Sequence, residues 1–266
     1  MDLNILFESF YDKVKTESQY TKKLSLDAIE LIINGFNYKL ELKKYNKVID
    51  NPLELVLQFY KEYNNKYYQI INKGLLKKEI NLNSFNNYLD LRNTICNINL
   101  TGNDSDVFIL VHELAHYIDR KLKPHIILDE HNVLCEVFAY YMEMEFEKRI
   151  INNYEELVIS RRNNRIYNVV EKMRLVELEL YCEMDYLSGS KKFLYNISIE
   201  DMELLLKSTN TVNTNLRYSI GYILSNYIQD NNIIVKESLS KYLYDLDVYK
   251  IINDFFQSKK SENLIK

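Results

Sequence analysis

Glycine and proline are scarce in this chain, which has five glycines and two prolines among its 266 residues. Because tight turns and strand ends depend on these two residue types, their scarcity argues against a sheet-rich fold and favours long helices joined by short loops. Apolar residues recur every three or four positions over most of the length, which is the helical period. We therefore expect a mainly α fold with a substantial core.

Long apolar runs are also missing, since no stretch approaches 18 consecutive apolar residues, and no membrane-spanning helix is expected. The first residues, "MDLNILFESFYDK", begin with an acid and are amphipathic, unlike a secretory signal peptide. Three cysteines (Cys96, Cys135 and Cys182) are too few and too scattered for a disulfide framework or a thiolate zinc site. These features predict a cytoplasmic protein.

Clustered positive charge is absent as well, because the formal net charge is −4 and no stretch concentrates lysine and arginine strongly. A nucleic-acid partner is therefore not expected. The run "RRNNR", Arg161 to Arg165, is typical of a solvated helix face.

The apolar spacing predicts helices along most of the chain, and Asn51-Pro52 places proline at a first helical position. The expected helices are Leu3–Thr16, Ser25–Tyr45, Pro52–Lys73, Asp104–Lys123, Glu130–Asn152, Tyr154–Leu187, Ser198–Ser208, Asn213–Gln229 and Lys236–Phe256. One segment, "NTICNINLTGND" (Asn93 to Asp104), alternates polar with apolar residues and ends in turn residues, which predicts a strand. The preceding "INLNSFNNYLDL" is a candidate partner strand. We expect one compact unit with an N-terminal helical segment (1–50), a core (51–230) and C-terminal helices (231–266).

The motif "HELAH" lies within the fourth of these helices and holds two of the four histidines in the chain. His112 and His116 are one helical turn apart, so both imidazoles can reach one ion. Glu113 lies beside them, where a carboxylate can take a proton from a metal-activated water. Asp119 and Leu122 stand where a metzincin has glycine and histidine, which excludes that class.

A third ligand is needed, and the sequence offers several candidates. His125 and His131 lie in the connecting loop "KPHIILDEH". Glu136 follows His116 by 20 residues and stands in an apolar helix, where an unpaired carboxylate is costly to bury and a cation would explain it. Glu143, seven residues later on the same face, is a candidate for orienting a ligand histidine, or it is an exposed helix glutamate.

These segments resemble a known family. "NTICNINLTGNDSDVFILVHELAHYID" is similar to the strand and zinc helix of peptidase family M3, most closely oligoendopeptidase F, where "Y-I-L-x-N-F-x-G" leads into "D-V-x-T-L-x-H-E-x-G-H". The matching residues are Asn97, Gly102, Asp106, Val107, Leu110, His112, Glu113 and His116. "LCEVFAYYMEMEF" resembles the family's "A-E-V-A-S-x-x-N-E" helix, and Glu136 and Glu143 keep the spacing of its two glutamates. "RYSIGYILSNYI" resembles the tyrosine-rich helix that closes over the family's cleft, so that the resemblance covers about Asn51 to Gln229.

The resemblance implies a zincin-like helical domain with a substrate cleft between helical lobes and a small sheet whose edge strand precedes the zinc helix. It implies one zinc ion per chain, held by His112, His116 and Glu136, with Glu113 as the general base and Glu143 behind a ligand. By the same analogy, two tyrosines one turn apart, Tyr218 and Tyr222, would stabilise the oxyanion. The edge strand would pair with the backbone of a peptide substrate. Its substrate-binding residues would be Cys96, Asn97, Ile98, Asn99 and Gly102.

The chain departs from the family pattern in three respects. Ala115 replaces a glycine of the zinc helix, and no histidine precedes the tyrosines, where Arg217, Asn213 or Asn215 could substitute. Most of the family's N-terminal lobe has no counterpart, so selection of substrates by size is not implied. The expected function is a zinc endopeptidase acting on short or extended peptides. The alternatives are a processing protease dedicated to one protein target of a phage or pathogen, or a non-catalytic peptide-binding domain that retains the fold.

Overall fold

A computed structural model of the protein describes residues 33, 49–90, 93–122, 136–188, 198 and 212–230. Within these ranges the chain forms six helices and one small sheet. The helices are α1 (Pro52–Tyr63), α2 (Asn65–Leu76), α3 (Asp106–Leu122), α4 (Val137–Ile150), α5 (Glu155–Ser188) and α6 (Val212–Asp230). The strands are β1 (Ile80–Asn81), β2 (Asn83–Asp90) and β3 (Ile95–Asn99). The prediction of a mainly helical fold with a small sheet is confirmed.

The chain divides into two compact units. One comprises Met1–Lys39, Ile166–Ile220 and Asp247–Lys266, and the other comprises Leu40–Arg165 and Gly221–Leu246. The second unit contains the "HELAH" motif and all of the sheet. The predicted boundaries at residues 50 and 230 stay a prediction.

Helix α3 lies at the centre of the second unit, because its apolar face is completely covered. Val111, which precedes the motif, and Leu114 and Ala115, which lie inside it, are each 0% exposed. The hydroxyl of Tyr60, from α1, donates to the carbonyl oxygen of Val111 at 2.8 Å. Burial of apolar side chains on this scale fixes the helix in one position, and the motif is thereby held on a rigid element.

The single helix predicted at Pro52–Lys73 is wrong at Asn64, where the backbone is extended (φ −158°, ψ 106°) and α1 ends. The side chain of Asn64 accepts from the backbone N–H of Lys66 at 3.0 Å and so begins α2. Asparagine competes for backbone donors in this way, which favours a helix start over a helix interior. At the start of α1, Asn51 caps the helix and Pro52 occupies a first-turn position, as predicted.

The later helices agree more closely with the sequence. The helix predicted at Tyr154–Leu187 is α5, that at Asn213–Gln229 is α6, and that at Asp104–Lys123 is α3 with a later start. The helix predicted at Glu130–Asn152 is described from Glu136, and α4 begins at Val137. The helices predicted at Leu3–Thr16, Ser25–Tyr45, Ser198–Ser208 and Lys236–Phe256 lie outside the described residues, apart from Ile33, which is helical, and Ser198.

The sheet has the strand order β1-β3-β2, so the strand before α3 is the middle strand. On one side β1 runs parallel, with Ile80 opposite Cys96. On the other side β2 runs antiparallel, with Leu89 opposite Cys96. The prediction that β3 is an edge strand is therefore wrong. The cause is the short connection after α2, which brings the carbonyl oxygen of Glu79 to the N–H of Cys96 at 2.7 Å.

The turn between β3 and α3 is fixed by Asp106, a carboxylate only 2% exposed. It accepts from the backbone N–H and hydroxyl of Thr101 at 3.0 and 2.9 Å, and from the N–H of Gly102 at 2.8 Å. Gly102 has φ +79°, a left-handed conformation that favours glycine. The carboxylate also lies in the first turn of α3, where the helix dipole favours negative charge.

None of the helices in the described part of the chain combines the length and the apolar character needed to cross a bilayer.

Candidate metal centre

Three donor groups meet where α3 faces the beginning of α4. The Nε2 atoms of His112 and His116 are 3.1 Å apart. The Oε2 atom of Glu136 lies 3.0 Å from the Nε2 of His112 and 3.3 Å from that of His116. One helical turn on α3 supplies the two imidazoles, and the residue immediately before α4 supplies the carboxylate. The structure thus brings together the three residues that the resemblance implies as ligands.

The spacing of these atoms fits a zinc ion. Bonds of about 2.0–2.1 Å at tetrahedral angles place ligand atoms roughly 3.3–3.4 Å apart. The three observed separations of 3.0 to 3.3 Å are close to that value. Two nitrogens and one carboxylate leave a fourth position, which is the arrangement of catalytic rather than structural zinc sites. The side chains of His112 and His116 are 13% and 18% exposed, so solvent reaches the two imidazoles.

Glu143 lies behind the first histidine. Its Oε1 is 2.7 Å from the Nδ1 of His112, and its side chain is 0% exposed. An acceptor on Nδ1 places a proton there and leaves Nε2 free for a metal, which fixes both the tautomer and the orientation of the ring. The sequence predicted this partnership between Glu143 and a ligand histidine, and the structure places the two in contact.

Arginines of α5 neutralise Glu143 and a second buried carboxylate, Glu147, one turn further along α4. Arg161 donates to Oε2 of Glu143 at 3.0 Å, and Arg165 lies 3.1 Å from the same oxygen. Arg165 also binds Oε1 of Glu147, and Arg162 donates to the other oxygen of Glu147 at 2.8 Å. Glu143 and Glu147 are 0% and 2% exposed, and Arg165 is 4% exposed.

This cluster corrects the sequence analysis in one respect. The prediction that "RRNNR" is a solvated helix face is wrong for Arg165, which is buried, and for Arg161, which is half-buried. Glu147 was missed altogether. The signal was present in the sequence: two glutamates four residues apart in an apolar helix require cations, and two arginines four residues apart can supply them.

The charges of the site change the acidity of its groups. Burial disfavours the protonated form of His112, but hydrogen bonds to Glu136 and Glu143 and their negative charges outweigh it and raise the pKa of His112 to about 10. Burial likewise favours protonation of Glu143, but the guanidinium groups of Arg165 and Arg161 hold its pKa well below the ordinary value. Burial also favours protonation of Glu136, but the imidazoles of His116 and His112 hold its pKa well below the ordinary value. In the metal-free chain the imidazole of His112 is therefore protonated at neutral pH between two carboxylates.

Zinc uptake is expected to release this proton. A raised pKa means that protonated His112 stabilises the metal-free fold fully below pH 6.5 and loses that effect as the pH rises through about 10. A zinc ion held by His112 would take the place of the proton on Nε2, so that the zinc affinity would rise by about tenfold per pH unit between pH 7 and 9. Calorimetric titration at pH 7.5 in buffers of different ionisation enthalpy should find about one proton released per zinc from this residue. A Glu143→Gln variant lacks one of the charges that raise the pKa and should release a smaller fraction, whereas equal release from both proteins would contradict the assignment.

The two tyrosines predicted to stabilise the oxyanion, Tyr218 and Tyr222, have different surroundings. Tyr222 is 5% exposed, and its ring packs against Tyr140 with centroids 5.6 Å apart. Tyr140 in turn meets the imidazole of His112 edge-on at 5.2 Å. Burial raises the pKa of Tyr222, so its phenol remains a donor at neutral pH. Tyr218 belongs to the other unit, where the ammonium group of Lys172 lies 3.8 Å from its ring centroid. Their roles at an oxyanion stay predictions.

Glu113, the candidate general base, is half-buried on α3. Its carbonyl oxygen accepts from the thiol of Cys96 at 3.6 Å, which ties β3 to the motif. Burial and the nearby charge of Glu113 raise the pKa of Cys96, so this thiol stays protonated at neutral pH.

The residues predicted to bind substrate along β3 are partly engaged by the protein itself. The N–H of Cys96 binds Glu79, the side chain of Asn97 accepts from Asn81 at 2.9 Å, and the N–H of Asn99 binds the Asn87 side chain at 2.7 Å. Ile98 is completely buried. The N–H of Gly102 is used in the turn before α3. The substrate-binding role of these residues stays a prediction.

The remaining candidates are not described. His125 and His131, the alternative third ligands, lie outside the described residues, as do the side chains of Asn213, Asn215 and Arg217.

Comparison with protein-family models, with curated proteins and with solved structures found no match to this chain.

Proposed function

We propose that the protein is a zinc-dependent endopeptidase that hydrolyses peptide bonds of short or extended peptides. The observation that carries this proposal is the convergence of two imidazole nitrogens and one carboxylate oxygen at 3.0 to 3.3 Å from one another. The proposal is supported by the buried Glu136 between two histidines, with Glu143 orienting one of them, because this donor set is the one that hydrolytic zinc sites with an open position use. The resemblance of the two motif segments to oligoendopeptidase F supplies the reaction class.

Zinc bound at this group supplies a Lewis acid that lowers the pKa of a water molecule and polarises a carbonyl group. His112 and His116 would hold it through their Nε2 atoms and Glu136 through Oε2. Glu143 keeps the proton of His112 on Nδ1, and Arg161 and Arg165 keep Glu143 ionised for this purpose.

Glu113 is the general base of the proposed reaction. It accepts a proton from the attacking water and then delivers that proton to the amine of the leaving peptide. Its neighbours in sequence are ligands, so the helix that positions the histidines also positions the base. A phenol donor from Tyr222, which belongs to the same unit as the motif, would stabilise the negative charge that develops on the carbonyl oxygen.

The proposal is tested by metal content and by cleavage of defined substrates. The purified protein should hold about one zinc per chain, and chelation should abolish cleavage of a mixed peptide library until zinc is restored. A His116→Ala variant, which lacks one ligand, should lose both the bound zinc and the peptide cleavage. A protein that takes up no zinc, or that takes it up and cleaves neither peptides nor unfolded proteins, would refute the peptidase assignment. Cleavage of short peptides but not of folded proteins would identify an oligopeptidase, whereas cleavage of a single protein would identify a dedicated protease.

A further inference from the structure

Helix α6 contains one glycine, Gly221, which is its tenth residue. Glycine in a helix interior lowers the stability of the helix relative to alanine, because the unfolded backbone loses more freedom on folding. A glycine at this position therefore needs a compensating contact.

That contact is with Glu136, the carboxylate of the candidate metal centre. A Cβ atom added to Gly221 would lie 2.5 Å from the Cβ of Glu136, and 3.2 and 3.3 Å from its carbonyl carbon and Cα. These are backbone and near-backbone atoms, which cannot rotate away as the end of a long side chain can. The absence of a side chain at Gly221 is thus what lets α6 approach the backbone of Glu136.

One turn further along α6, Ser225 adds a polar contact to the same place. Its hydroxyl is completely buried and lies 2.7 Å from the carbonyl oxygen of Val137 and 2.6 Å from that of Gly221. The two residues share a face of α6, since they are four positions apart. This face lies against Glu136, the N-cap of α4, and Val137, its first residue.

The carboxylate of Glu136 reaches the histidines from the residue that precedes α4. Glu136 is the N-cap of α4, but its side chain makes no capping hydrogen bond there and is directed to the histidines instead. The position of its carboxylate therefore changes with the position of the first residues of α4.

We propose that Gly221 and Ser225 are positioning residues that fix the third metal ligand. The inference rests on the proposed zinc site, and it assigns to α6 a role in metal affinity that is separate from any role of its tyrosines. A shift of the first residues of α4 by a few tenths of an ångström would move the Oε2 atom of Glu136 relative to the two imidazoles, whose backbone belongs to α3.

The test measures zinc affinity, by competition with a chromogenic chelator, in a Gly221→Ala variant of the full chain. The apparent Kd for zinc should rise by about 10- to 100-fold, the range typical of lost support for a ligand. With cobalt in place of zinc, the visible absorption spectrum should change as well, because it reports the number and geometry of the ligands.

Gly74 of α2 provides the matched control. An added Cβ there would lie equally close to another group, 2.5 Å, but that group is the hydroxyl oxygen at the end of the Tyr117 side chain. Gly74→Ala should leave both the zinc Kd and the cobalt spectrum unchanged, even if it changes the unfolding temperature. If zinc affinity fell only because the fold is less stable, both Gly221→Ala and Gly74→Ala would lose it, and this result would overturn the inference.

Ser225→Ala keeps the test decisive if Gly221→Ala does not fold. This smaller change removes one hydroxyl and should weaken zinc binding by about 2- to 10-fold, the effect of one net hydrogen bond. Zinc binding as tight as that of the unsubstituted protein in the folded variants would overturn the inference and leave the peptidase proposal standing. A protein that binds zinc but cleaves no peptide would overturn the peptidase proposal alone, and a protein that binds no zinc would overturn both.

Discussion

Replacement of Glu113 by glutamine is expected to lower kcat for peptide hydrolysis by about 10²- to 10⁴-fold, the usual contribution of a positioned general base. Glutamine has the same shape but cannot accept the proton of the attacking water. The three donor atoms belong to other residues, so the zinc content should remain that of the unsubstituted protein. KM should change little, because the base acts on water rather than on the ground-state substrate.

The measurement compares kcat, KM and zinc content on one peptide substrate. Glu156→Gln, which alters an exposed glutamate on α5, is the matched control and should retain full activity. Loss of zinc in Glu113→Gln would show that the residue supports the metal rather than the reaction. Full activity with zinc retained would remove Glu113 from the mechanism.

The part of the site that the sequence predicts is the part that depends on helical periodicity. The spacing of His112 and His116 needs only one turn of helix, and the spacing of Glu136 and Glu143 needs only two, so each pair is fixed within one element. Amphipathic pattern alone then predicts that α3 is buried with its polar residues on one side. The pairing of α3 with α4 came from the requirement that a carboxylate among apolar residues have a cation nearby.

The part that the sequence does not predict depends on contacts between distant segments. Alternation predicts that Ile95–Asn99 is a strand, but not which strands flank it, and the place of β1 beside Cys96 follows from the length of the connection after α2. The sequence predicts that Arg165 is surface charge, and this is wrong because its partners, Glu143 and Glu147, belong to another helix. A sequence shows charge but not burial, and only the packing of α5 on α4 turns these residues into a buried ion network.

That network leads to the second large effect, a loss of stability on replacement of Arg165 by methionine. Arg165 binds both Glu143 and Glu147, all three side chains are at most 4% exposed, and removal of the guanidinium leaves two buried carboxylates with reduced compensation. Breaking a buried ion pair by removing one partner typically costs about 3–5 kcal/mol, because the remaining charge stays desolvated. We expect the free energy of unfolding at pH 7 to fall by about this amount.

Arg162→Met is the matched control, since Arg162 binds the other oxygen of Glu147 at 2.8 Å but is 45% exposed. Its loss should cost less than about 1 kcal/mol, as for other solvent-screened pairs. Denaturant unfolding of both variants, and of Arg165→Met combined with Glu147→Gln, measures the difference. The double variant should be more stable than Arg165→Met alone, because one of the uncompensated charges is gone. Equal losses of unfolding free energy in the two arginine variants would mean that burial does not distinguish these pairs.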